Sequence, residues 1–82
     1  MRKRILKYVP GNENLIAPDG KICAFGFQSG EPTVWIEVSD PSLATQELSI
    51  WATGSAFDGR YWEHVATAVS DHLVWHLCRK IR

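Results

Sequence analysis

The sequence holds no run approaching the ~20 consecutive apolar residues that a helical membrane span requires. It holds only two cysteines, and Cys23 and Cys78 stand isolated, without a C-x-x-C pair or any spacing that suggests a disulfide framework or a zinc site. Both lie inside apolar runs, where a thiol is ordinarily a small buried hydrophobe. The basic start Met1-Arg2-Lys3-Arg4 lacks what a secretory leader needs next, because Lys7 and Pro10 interrupt the apolar segment and no small-residue cleavage site follows. The expected location is the cytoplasm, with reduced thiols and no membrane association. Motifs of catalysis are missing as well: there is no Gly-x-Ser-x-Gly, no phosphate loop and no dinucleotide fingerprint. His72-x-x-x-His76 lacks the glutamate of a zinc protease, and on a strand its imidazoles would sit ~13 Å apart. Those two residues read instead as a turn residue and a half-buried, hydrogen-bonded histidine. Neither an enzyme nor a bound cofactor or metal is expected.

What is present fits one small domain spanning 1–82, in a size range where a core alone gives marginal stability. With disulfides and metals set aside, self-association into a homo-oligomer, a dimer or tetramer, is the expected support. The chain carries four tryptophans and a formal net charge of zero. That zero conceals an arrangement: the two termini total +7 and the body −7. Basic ends gathered together would make an anion-binding patch, though the acidic body opposes a long polyanion and argues against nucleic acid as the main partner.

Alternating patterns and turn residues predict an all-β fold: a mainly antiparallel small sheet or sandwich of about five or six strands. Residues 4–9 read as an edge strand stopped by Pro10-Gly11-Asn12, and Gly11–Gly20 as a loop ending in a Pro18-Asp19-Gly20 turn. Ile22–Gln28 passes through Ser29-Gly30-Glu31-Pro32 into Thr33–Val38. There Val34, Ile36 and Val38 share a core face, and Trp35 points away with Thr33 and Glu37. Asp40-Pro41-Ser42 closes that strand. In Gln46–Thr53, Leu48, Ile50 and Ala52 point inward and Trp51 outward. Trp35 and Trp51, both opposite the aliphatic core, are the candidate oligomer-interface residues. The C-terminal third carries two patterns. Val65, Val69, Leu73 and Leu77 suit an α+β alternative with a helix near 62–81, whereas dense β-branching around a polar Ser70-Asp71 turn favours a C-terminal hairpin.

One segment concentrates binding chemistry. Between residues 53 and 64 lie Thr53, Gly54, Ser55, Arg60, Tyr61, Trp62 and His64. Loop amides and Arg60 suit a phosphate, and Tyr61 or Trp62 can stack on a base at ~1–3 kcal/mol. These seven are the candidate ligand-binding residues.

Gln28-x-Gly30-x-Pro32-x-x-Trp35, the later Thr53-Gly54 and the closing Leu73-Val74-Trp75-His76 together resemble a widespread family of small tailed-phage proteins of unknown function, over roughly residues 4 to 78. Its members typically read Gly-Thr-Gly-His where this chain has Ala52-Thr53-Gly54-Ser55; His64 is a candidate substitute for that histidine. The resemblance implies a phage origin and a compact β-rich domain with a C-terminal hairpin, acting inside an infected bacterial cell. The chain also resembles the phage anti-defence "sponges". That likeness implies capture, without cleavage, of a cyclic dinucleotide or cyclic ADP-ribose immune signal. Two alternatives stay open: a protein-binding inhibitor of a host defence complex that uses the Trp35 and Trp51 face, and a small nucleic-acid-binding accessory protein.

Overall fold

The computed structural model describes residues 2–11, 13–40 and 44–81, and within them the chain is all strand and turn, with no helix. The strands are β1 (Arg2–Tyr8), β2 (Leu15–Pro18), β3 (Lys21–Gln28), β4 (Glu31–Asp40), β5 (Thr45–Ala52), β6 (Trp62–Ser70) and β7 (Leu73–Lys80). They form two antiparallel sheets, of order β1-β4-β3 and β2-β5-β7-β6, with β3 lying against β6 where the sheets meet. The expected all-β class and C-terminal hairpin are therefore present, and the helix over 62–81 is not. The described residues form seven strands rather than five or six, because β2 forms inside the segment read as a loop. The strand closure expected at Pro41-Ser42 lies outside the described residues.

Local chemistry accounts for the two hairpins. Ser29 (φ +51) and Gly30 (φ +80) both adopt left-handed backbone, as a two-residue type I′ turn requires, so Gln28 closes directly on Glu31. At the other end Ser70 pairs with Leu73 and leaves Asp71-His72 as the turn.

The core is built where alternation placed it. Val34, Ile36 and Val38 from β4 meet Leu48 from β5, Leu77 from β7 and Ala17 from β2, all buried, with Leu6, Tyr8, Ile22, Phe25, Ile50 and Val65 packed around them. Gly20 passes so close to β4 that an added Cβ would stand 2.3 Å from the Glu37 carbonyl oxygen. Buried Gln46 fastens the same turn by donating from Nε2 to the carbonyls of Pro18 (3.0 Å) and Gly20 (3.3 Å).

Four expectations are corrected. Cys23 is exposed rather than buried, because it sits at the register shift between Ile22 and Ala24 in β3. Thr33, read as outward, is buried and donates its hydroxyl to the Glu31 carbonyl. Ala52, read as inward, is exposed at the end of β5. Among the described residues the basic ends do not form one strand-paired set. β1 and β7 belong to different sheets, and Arg79 and Lys80 are held by Glu63 and Glu47.

Candidate functional site

The site follows from an awkward connection. β5 and β6 both run antiparallel to β7, one on each side of it, so they point the same way. The chain leaves β5 at Ala52, opposite Trp75, and enters β6 at Trp62, opposite Lys80. Residues 53–61 must therefore travel back along β7 by about 17 Å, at ~3.3 Å per strand residue. They do so as a strap across the face of the sheet that points away from the core. Phe57 stacks on Trp51 there (centroids 5.4 Å apart, planes at 16°), and Trp62 meets Trp51 edge-on at 4.9 Å. Cys78 and Ser49 pair across β5 and β7 on this same face and are nonetheless buried.

Each end of the strap is fixed by its own sequence. Ser55 N–H donates to the Ala52 carbonyl at 3.1 Å, and Gly54, at φ +92, occupies the third position of that turn, as type II geometry demands. At the far end the Asp58 carbonyl accepts from Tyr61 N and Trp62 N (3.0 Å each), while its carboxylate accepts from Arg60 N–H and from the Arg60 guanidinium through both oxygens. The paired guanidinium holds the Asp58 carboxyl below the ordinary carboxylate range, and Asp58 in turn raises Arg60.

Between the strap and the sheet lies a cleft of about 310 Å³ lined by Trp51, Ala52, Gly54, Ser55, Phe57, His64, Thr67 and His76. Its sheet side is a hydrogen-bonded chain. Thr53 Oγ1 lies 2.8 Å from His76 Nε2, His76 Nδ1 lies 2.8 Å from Thr67 Oγ1, and Thr67 Oγ1 lies 2.9 Å from His64 Nε2. A neutral imidazole has one N–H and one acceptor nitrogen, so the chain has a direction. When His76 donates from Nδ1, Thr67 donates onward to His64 and Thr53 donates to His76; when His64 donates instead, every bond reverses. The wall of the cleft can thus present either polarity to a bound group.

His64 reaches this chain through a β-bulge. Residues three apart on an unbroken strand face opposite ways, which would turn His64 away from Thr67. Because His64 pairs with Cys78 and Ala66 with Leu77, Val65 is an extra residue that restores the parity.

Of the residues singled out from sequence, the structure brings Gly54, Ser55 and His64 into the cleft and joins Thr53 to it through His76. Trp62 braces Trp51 from behind, with the Lys80 ammonium 6.0 Å from its ring centroid. Arg60 and Tyr61 stand apart from the lining, paired with each other as cation and ring at 5.6 Å. Trp51 belongs to the cleft wall, whereas Trp35 lies on the other sheet, so the two do not form one surface. Phe57, Thr67 and His76 as site residues were not foreseen; the half-buried, hydrogen-bonded state of His76 was. Among the described residues no cluster of three or more His, Cys, Asp or Glu could hold a metal ion.

A family model described as "Domain of unknown function (DUF7352)" matches residues 1–82. No curated protein and no solved structure matches the chain.

Proposed function

The chain belongs to the DUF7352 family, whose description assigns no activity, and from the cleft we propose that the domain captures a small ring-bearing ligand without changing it chemically. One observation carries the reading. A single cavity combines an aromatic wall, Trp51 and Phe57, with a reversible hydroxyl–imidazole chain. Such a pairing suits a planar heterocycle, with apolar contact on its faces and hydrogen bonds at its edge.

In its finer form the ligand is a nucleotide signal of the cyclic dinucleotide or cyclic ADP-ribose type, sequestered in the cytoplasm of an infected cell by a phage-encoded protein. The base enters the cleft, and the phosphate falls to Arg60. The fork that now grips Asp58 matches phosphate oxygens equally well, so a phosphorylated ligand has to displace Asp58. Replacing Asp58 with Asn is accordingly expected to strengthen binding of phosphorylated ligands and to leave that of nucleosides unchanged.

Titration calorimetry with nucleobases, nucleosides, cyclic dinucleotides and cyclic ADP-ribose isomers tests the proposal. Micromolar or tighter binding of a panel member, weakened roughly tenfold or more by Phe57→Ala, with the ligand recovered intact, is the expected outcome. Silence across the panel contradicts it. A second reading draws on the order Thr53–His76–Thr67, which sets hydroxyl, imidazole and hydroxyl as nucleophile, base and orienting group. Two features favour capture over turnover. The orienting group is not a carboxylate, and the Ser55 amide is committed to the Ala52 carbonyl rather than open to an oxyanion. A cleaved ligand would decide for the second reading.

A further inference from the structure

We propose that the solvent face of the three-stranded sheet is a platform for single-stranded nucleic acid, separate from the cleft. The register places Lys7 and Ala24 on either side of Trp35, Lys21 beside Glu37, and Lys3 beside Ser39, all on the face opposite the core-facing Val34, Ile36 and Val38. Ile5 stands on the same face, 62% exposed. Trp35 is half-buried and meets no other ring among the described residues, and the space over Gly26 is open, since a Cβ there would touch nothing within 4 Å.

Charge favours the same occupant. On this face the register sets Lys3, Lys7 and Lys21 against Glu31 and Glu37, a surplus of one cation, while the positions of Arg2, Arg4 and Asp40 alternate to the other side. Glu37 is engaged by Lys3 at 3.4 Å, and Lys7 donates to the neutral Gln28 at 2.9 Å, which leaves its charge uncompensated. Taken by sequence, the three strands carry two more cations than acids and the rest of the chain two more acids than cations. A strand surface that sets a ring beside Lys7, with Lys21 and Lys3 further along the same face, can stack unpaired bases while its cations follow the backbone. A duplex, whose bases are already stacked, offers that ring nothing.

The test is fluorescence anisotropy of labelled oligothymidylate and oligouridylate of about 12 nucleotides, within the range that single-strand platforms cover, across a salt series. The wild type is expected to bind, with log affinity falling against log salt at about −0.7 per neutralised phosphate, and to prefer single strands to duplex. Trp35→Ala is expected to weaken binding roughly tenfold or more. Combined Lys7→Glu and Lys21→Glu, surface changes with no core contact, are expected to abolish it. Lys80→Glu, an equal charge change on the other sheet, is expected to leave most of it. No binding at low salt, equal affinity for duplex, or indifference to Trp35 and the lysines overturns the proposal. So does a dimeric native mass that Trp35→Ala reduces to the monomer's, which would put Trp35 between two copies of the chain. Because none of these residues lines the cleft, ligand binding there neither supports nor rescues this inference.

Discussion

At the scale of single residues, Thr67 is the hinge of the account. Its hydroxyl serves two imidazoles at once, so Thr67→Val keeps the shape and strands both nitrogens. The expected loss is about 1 kcal/mol of stability, read by urea denaturation, and a larger proportional loss of ligand affinity; a variant that binds as tightly as the wild type removes the chain from recognition. The thiols give a second check. Cys23 is exposed and Cys78 buried, so a thiol-specific chromogenic reagent is expected to find one reactive group in the native protein and both after unfolding. Burial pushes the Cys78 thiol above its ordinary value. The unfolded chain then binds fewer protons once pH passes the ordinary thiol range, and this group's contribution to stability falls as pH rises further. His76 was legible as a hydrogen-bonded, half-buried residue because a β-rich run with a polar histidine leaves it little else. Thr67 was not. Placing the turn at Ser70-Asp71 pairs Thr67 with Val74, and moving the turn one residue on to Asp71-His72 pairs it with His76. His64 was further hidden, since only the bulge at Val65 returns it to the face that Thr67 occupies.

At the scale of elements, the strap decides what the outer face can do. Gly54 is held at φ +92, a conformation an alanine side chain resists. Gly54→Ala is expected to cost about 1–3 kcal/mol and to loosen the strap before the sheet, which hydrogen exchange would report as faster exchange at the Ser55 amide. Phe57→Ala removes a stacked pair worth about 0.5–1.5 kcal/mol beyond its buried area. It is also expected to open Cys78 to the thiol reagent in the native state; continued protection there would mean that something other than the strap covers the thiol. Sequence patterning reached the long strands and both hairpins, because each has alternation or a turn signal. It missed β2, whose four residues end in proline and are too few to display a period; β2 exists because the start of β5 offers it a partner from Leu15↔Leu48 to Pro18↔Thr45. Nor could composition show that 53–61 lies flat on the sheet. That follows from β7 inserting between β5 and β6, a pairing between segments far apart in sequence.

At the scale of the whole molecule, two sheets share one core and keep separate outer faces, one bearing the cleft and the other Trp35 with its lysines. The join depends on close approach at one corner. Gly20→Ala would drive a methyl group into the Glu37 carbonyl, and the expected cost, about 1–3 kcal/mol, is a large share of what so small a domain has; a thermal midpoint equal to the wild type's would show that the corner yields. The separation of faces also explains why tryptophan content alone could not allocate roles. Trp51 and Trp35 alternate alike along their strands, and only the assignment of β4 and β5 to different sheets parts them. The central claim, that the strap and the sheet enclose a recognition cleft, is tested most directly by a nitrogen–proton NMR titration of the wild type with the nucleoside and cyclic nucleotide panel. The expected result is saturable shifts confined to residues 51–57, 64–67 and 76, joined by 58–60 only for the phosphorylated members of the panel, with the imidazole signals of His64 and His76 moving together. Shifts that scatter over the surface, or an unchanged cleft at saturating ligand, would contradict it.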